Sequence, residues 1–121
     1  MTDDRAGFDQ LFETDVADAE VTPRRPHLVQ SPAGPLALVR DGERVVAVDA
    51  WCPHLDGPLW EGSAAQGEIA CPWHGWRYSL ATGECTWAPR GDAEEAAETS
   101  VRVFPTQIGP NGRVTVVLPA G

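Results

Sequence analysis

Residues 51 to 76 read WCPHLDGPLWEGSAAQGEIACPWHGW and hold two candidate ligand pairs, Cys52 with His54 and Cys71 with His74. Each pair sits in a short loop that a proline, Pro53 or Pro72, stiffens. A Cys-x-His loop and a Cys-x-x-His loop each aim one thiolate and one imidazole the same way, so four donors can converge. Two thiolates and two imidazoles suit either a closed tetrahedral zinc or a two-iron cluster in which one iron takes both sulfurs and the other both nitrogens.

Zinc sites of the short-finger type group Cys with Cys and His with His around an amphipathic strand-turn-helix unit. Here the ligands interleave, and the sixteen residues from Leu55 to Ala70 read as turn, short strand and turn. This interleaved pattern resembles the Rieske [2Fe–2S] family. Trp51, Cys52-Pro53-His54, Gly57-Pro58-Leu59, Gly62, Cys71-Pro72-Trp73-His74-Gly75-Trp76, Tyr78 and Thr82-Gly83-Glu84 fall where that family places such residues. The resemblance extends over about residues 20 to 118. It implies one [2Fe–2S] cluster per chain, with Cys52 and Cys71 on the inner iron and His54 and His74 on the outer one. A zinc-stabilised interaction module, in which the same four ligands only hold the fold, is the alternative from another class.

The segments that deliver the chain to the first loop carry β signals. His27-Leu-Val-Gln, a Ser31-Pro-Ala-Gly-Pro turn and Leu36-Ala-Leu-Val-Arg40 are followed by an Asp41-Gly42 hairpin and Arg44-Val-Val-Ala-Val-Asp49. His27 reads as a structural or surface histidine. Residues 1 to 20 hold seven acidic residues against Arg5, and are expected to be an acidic tail. Within it Phe8, Leu11 and Phe12 have the spacing of a short amphipathic helical turn.

Beyond the spacer, Gly67-Glu-Ile-Ala70 is expected as an edge strand feeding Cys71. Trp76-Arg-Tyr-Ser-Leu80 alternates, Ala81-Thr-Gly-Glu84 turns, and Cys85-Thr-Trp-Ala88 returns. The acidic run Asp92 to Glu98 reads as a solvated face. Ser100 to Phe104 and Arg113 to Leu118 then alternate around a Gly109-Pro-Asn-Gly112 turn. Short strands at such intervals predict an all-β sandwich or partial barrel. The resemblance adds a small cluster-binding subdomain, about residues 51 to 90, inserted in a domain of residues 21 to 121 and carrying the two ligand loops at its tip.

Within the family, Rieske subunits of the respiratory type carry an extra cysteine in each ligand loop, joined in a disulfide. The corresponding places here are Gly57 and Trp73, so that bridge is missing. Cys85 is left over and reads as a small hydrophobe. Hydrogen bonds to the cluster sulfurs raise the potential in this family. The residue after Gly75 is Trp76 where high-potential members carry Ser, while Tyr78 keeps a hydroxyl that could supply such a bond. A proline-containing segment covers the cluster in many members, which points to Pro89. The missing hydroxyl, the missing disulfide and Asp56 together indicate the lower part of the family's range of roughly −150 to +300 mV. Trp51, Trp60, Trp73 and Trp76 are expected mainly as core residues.

The chain is 121 residues long with a net charge of −9, enough for one domain. All nine basic residues are Arg. The acidity disfavours nucleic acid and anionic membrane and favours a partner with a basic docking face. With no apolar run of membrane-spanning length and no signal pattern, a soluble cytoplasmic protein is expected. Only His27 stands outside the ligand loops, so the two-His-one-carboxylate iron of an oxygenase cannot be assembled, and no G-x-G-x-x-G nucleotide fingerprint occurs. The expected function is one-electron transfer from a ferredoxin reductase to a terminal oxygenase or other redox protein. A small Rieske subunit of a larger oxidoreductase, of the nitrite-reductase type, is the second reading within the same chemistry.

Overall fold

The computed structural model describes residues 10–53, 56–73, 75–89, 91, 94, 96 and 99–119. The molecule is all-β. At its centre is the hairpin of β3 (Gly34–Asp41) and β4 (Arg44–Asp49), in register from Leu36↔Asp49 to Asp41↔Arg44. Its two-residue turn needs a left-handed residue, which Gly42 supplies at φ 65°. β2 (His27–Ser31) and β11 (Val103–Phe104) flank the hairpin to give the order β11-β4-β3-β2.

Both faces of this hairpin are covered, which is why Leu36 to Val39 and Val45 to Val48 are unbroken apolar runs rather than alternating ones. Leu36, Leu38, Val45 and Ala47 pack into one core with Val114, Val116 and Leu118. Ala37, Val39, Val46 and Val48 pack into a second core with Cys52, Leu59, Ile69, Cys71, Trp76 and Tyr78. Leu36 and Leu38 are fully buried, so truncating either to Ala costs about 2–5 kcal/mol. The second core rests the candidate ligand loops on the most buried strands of the molecule.

The first core is closed by a sheet of order β1-β13-β12, made of β1 (Gln10–Ala17), β12 (Thr106–Ile108) and β13 (Arg113–Leu118). This corrects the helical reading of Leu11 and Phe12, which pair with Val117 and Val116 as strand residues; Phe8 lies outside the described residues. The acidic stretch is therefore held to the sheet from Gln10 onward. A bulge between Glu13 and Ala17 is satisfied by buried Thr14, whose hydroxyl donates to the Val114 carbonyl at 2.7 Å and accepts the Val16 amide. Asp18 then pairs with Arg40 at 3.2 Å, and Arg40 Nε donates to the Val21 carbonyl.

The second core is closed by a sheet of order β10-β9-β8-β7, built from β7 (Ser63–Ala65), β8 (Glu68–Ala70), β9 (Arg77–Ser79) and β10 (Cys85–Trp87). β8 is thus an interior strand and not the expected edge. β7 supplies the missing neighbour through a tight turn in which Gln66 and Gly67 both have positive φ. A two-stranded ribbon of β5 (Trp51–Cys52) and β6 (Gly57–Pro58) carries the first loop. In the acidic run, Glu94 and Ala96 have helical backbone.

Candidate metal centre

The two ligand loops share one backbone design. In the first, the Asp56 amide donates to the Cys52 carbonyl at 2.7 Å; in the second, the Gly75 amide donates to the Cys71 carbonyl at 3.0 Å. Each bond closes a five-residue turn, and in each the closing residue is left-handed, Asp56 at φ 57° and Gly75 at φ 75°. Asp tolerates that conformation better than most side chains, and Gly without cost. The next residue faces the cysteine across the loop base. Gly57 pairs with Cys52 in the ribbon, and the Cys71 amide donates to the Trp76 carbonyl at 2.7 Å. His54 and His74 lie outside the described residues.

The cysteines are brought together by Gly57. A Cβ placed there would overlap Cys71 Sγ and would lie 3.6 Å from Cys52 Cβ and from Trp73 Cδ2. Only glycine leaves room for the second thiol above the first loop. Gly57 and Trp73, the places that correspond to the disulfide of the respiratory type, also adjoin, and none of the three cysteines is in a disulfide. Cys52 and Cys71 are buried at 0% and 2% exposure, where unpaired thiolates would be costly. A bound cation removes that cost, so the donor set fits a metal centre.

Tyr78 sits mid-strand in β9, between Ile69 and Cys85, fully buried. Its hydroxyl lies 3.0 Å from Cys52 Sγ. Burial pushes the phenol far above the ordinary tyrosine range, and the hydrogen bond to Cys52 and the charges of Cys52, Cys85 and Cys71 push the same way. A phenol held protonated beside a thiolate is a donor to it.

The remaining expected residues fall as follows. Trp76 is a core residue in the cluster of side chains that holds both cysteines. Pro89 is half-buried after β10, and from the same segment the Trp87 ring lies 3.5 Å from where a Gly75 Cβ would stand. Sequence reasoning passed over Trp87; its alternation with Cys85 on a return strand was the available signal. Cys85 is half-buried, donates to the Trp87 carbonyl at 3.3 Å, and burial holds its thiol above the ordinary value. Core packing describes Trp76 and partly Trp60, whereas Trp51 and Trp73 are exposed at 44% and 55%. His27 Nε2 donates to the Glu20 carbonyl at 3.0 Å, a structural role.

Comparison with known proteins agrees with this architecture. The Rieske [2Fe-2S] domain model matches residues 13–105. The chain is 40% identical over 73 residues to the oxygenase component of dicamba O-demethylase from Stenotrophomonas maltophilia, a match covering 59% of this chain and 21% of that protein. It spans about a fifth or less of the first curated relatives it matches. Among solved structures it superposes on a putative NADH-dependent nitrite reductase small subunit from Mycobacterium tuberculosis with a TM-score of 0.75, covering 94% of this chain and 99% of that one at 22% identity. It also superposes on a chain from a complex of reduced oxygenase and oxidised ferredoxin in carbazole 1,9a-dioxygenase, with a TM-score of 0.72 over 92% and 95% of the two chains at 24% identity. These two likenesses are of fold. The family match implies a [2Fe–2S] cluster, which decides against zinc as the alternative that the ligand types had left open. On a match that spans most of its length, the chain belongs to the Rieske [2Fe-2S] domain family.

Proposed function

We propose that this chain carries one electron at a time, taken from a reductase and passed to a terminal oxygenase or similar acceptor, on a cluster held by Cys52, Cys71, His54 and His74. The observation that carries this reading is the pair of matched turns that set two buried thiols over Gly57. Bound there, the cluster would supply a reversible one-electron couple. The chain's own residues supply the rest. Gly57 admits Cys71, Tyr78 keeps its proton and donates to Cys52 Sγ, and Leu59, Ile69 and Trp76 exclude water from the inner side.

Beyond the two loop histidines this chain holds only His27, which is bonded to backbone, so these residues offer no second iron site with two imidazoles. Among the described residues no helix is long and apolar enough to cross a membrane. Three cysteines outside any disulfide fit a reducing, cytoplasmic setting, which belongs to the same proposal.

A coulometric titration of the purified protein tests the reading. Uptake and release of one electron per chain, with no oxygen-dependent turnover of aromatic acids by the protein alone, is expected. Turnover without a second protein would contradict it. The near-complete mutual coverage with the nitrite reductase small subunit favours a second reading, a Rieske subunit of a larger oxidoreductase. Stable co-purification with a large subunit would select it.

A further inference from the structure

The protein's charge is −9, which by itself favours a basic partner, yet two adjacent exposed arginines stand beside Trp60. Arg24 and Arg25 are both exposed on a tight turn that the Arg25 amide closes onto the Thr22 carbonyl at 3.0 Å. Among the described residues neither forms an ion pair, nor do Arg44 and Arg77, but only Arg24 and Arg25 stand side by side in the chain. With Glu20, Pro26, His27 and Trp60 they line an open cavity of about 500 Å³. The one carboxylate there, Glu20, has Oε1 accepting the Ala17 amide at 2.8 Å.

This cavity is joined to the metal centre by short contacts. The Trp60 ring stands edge-on to Trp51 with centroids 4.6 Å apart, and Trp51 is the residue before Cys52. The Ala64 amide donates to the Pro23 carbonyl at 2.8 Å, which fixes the arginine turn to the sheet that carries the second loop. Two unpaired guanidiniums at the edge of an aromatic pair suit carboxylates and other anions.

We propose that the Arg24, Arg25 and Trp60 cavity is the docking point for an acidic face of the electron-exchange partner. The inference rests on the carrier reading. Net charge then repels anionic partners elsewhere on the surface and the local patch admits them beside Trp51, so the exchange is oriented as well as attracted.

The test uses holoprotein and two cyanometallate trianions. In the first measurement, reduced protein gives one electron to hexacyanoferrate(III), which becomes hexacyanoferrate(II), and the rate is followed in a stopped flow at low and high salt. The variants are Arg24→Gln/Arg25→Gln and, as control, Arg44→Glu; each adds two negative units to the −9. Arg44 is exposed and opens β4, on the order of 17 Å of strand from the end that leads to Trp51. The expected result is about a five-fold or greater loss of rate at low salt for the double variant, less than about two-fold for the control, and convergence at high salt. Equal losses in the two would overturn the proposal.

The second measurement is nuclear magnetic resonance of the oxidised protein with redox-inert hexacyanochromate(III). Broadening centred on the Arg24, Arg25 and Trp60 side chains is expected, and broadening centred elsewhere or spread evenly would overturn the proposal. If broadening centres there but no variant, nor the parent, reacts with hexacyanoferrate(III), the carrier reading falls and the exchange role falls with it.

Discussion

The Tyr78 hydroxyl and Cys52 Sγ lie 3.0 Å apart in the interior of the molecule, across 26 residues of sequence. The bond ties β9 to the first ligand loop, and its direction sets an electronic consequence. A donor to a thiolate stabilises the more negative, reduced state of whatever the thiolate binds. Tyr78→Phe removes that donor with little change of volume. A hydrogen bond to a charged group contributes roughly 1.5–3 kcal/mol and tenfold in a one-electron equilibrium is about 59 mV; the bond is present in both redox states and only its strengthening on reduction counts, so the potential should fall by less than about 130 mV. Potentiometric titration of the two proteins checks it; an unchanged potential would remove Tyr78 from the account.

Tyr78 is also the sole tyrosine of the chain, so tyrosinate absorbance reports this residue alone. Its folded value is raised above the ordinary 10.0, first by burial. The folded state therefore holds the proton more tightly than the unfolded state. The phenol's contribution to stability is complete below about pH 10 and is lost as pH rises above it, at up to about 1.4 kcal/mol per pH unit. In a spectrophotometric titration the folded protein should show no tyrosinate step near pH 10. The step should appear together with unfolding at higher pH, and a reversible step in folded protein at pH 10 would contradict the buried contact.

Gly57 is the floor beneath Cys71 Sγ, and even one methyl group there would overlap the sulfur. Gly57→Ala should leave the β3–β4 core intact while iron and sulfide per chain fall by more than half. Circular dichroism and metal analysis on the same preparation separate the two effects. Full cluster content in this variant would mean that Cys71 approaches from elsewhere.

The turns of the two ligand loops are the most legible part of the sequence because their signals are local. Cys52-Pro53 and Cys71-Pro72 specify their own turns, and Asp41-Gly42 specifies the central hairpin. β1 was not legible for the opposite reason. Leu11 and Phe12 fit a helix face as well as a strand, and only pairing with Val117 and Val116, more than a hundred residues away, decides between them. β8 reads as an edge in the sequence because its neighbour β7 has only three residues and leads into a turn whose left-handed Gln66 is not a usual turn signal. Gly57 was read as a place where a cysteine is missing; that a thiol from the other loop fills its space is a fact of packing that no single stretch records.

The central claim is that two thiolates and two imidazoles from these two loops hold one two-iron cluster. The most direct test is electron paramagnetic resonance of the dithionite-reduced protein, with nitrogen couplings resolved by a pulsed method and with iron and sulfide counted. The expected result is two irons and two sulfides per chain and two strongly coupled imidazole nitrogens, one of which disappears on replacing His54 and the other on replacing His74. A cluster signal without directly coupled nitrogen, or a colourless protein holding zinc, would contradict the account.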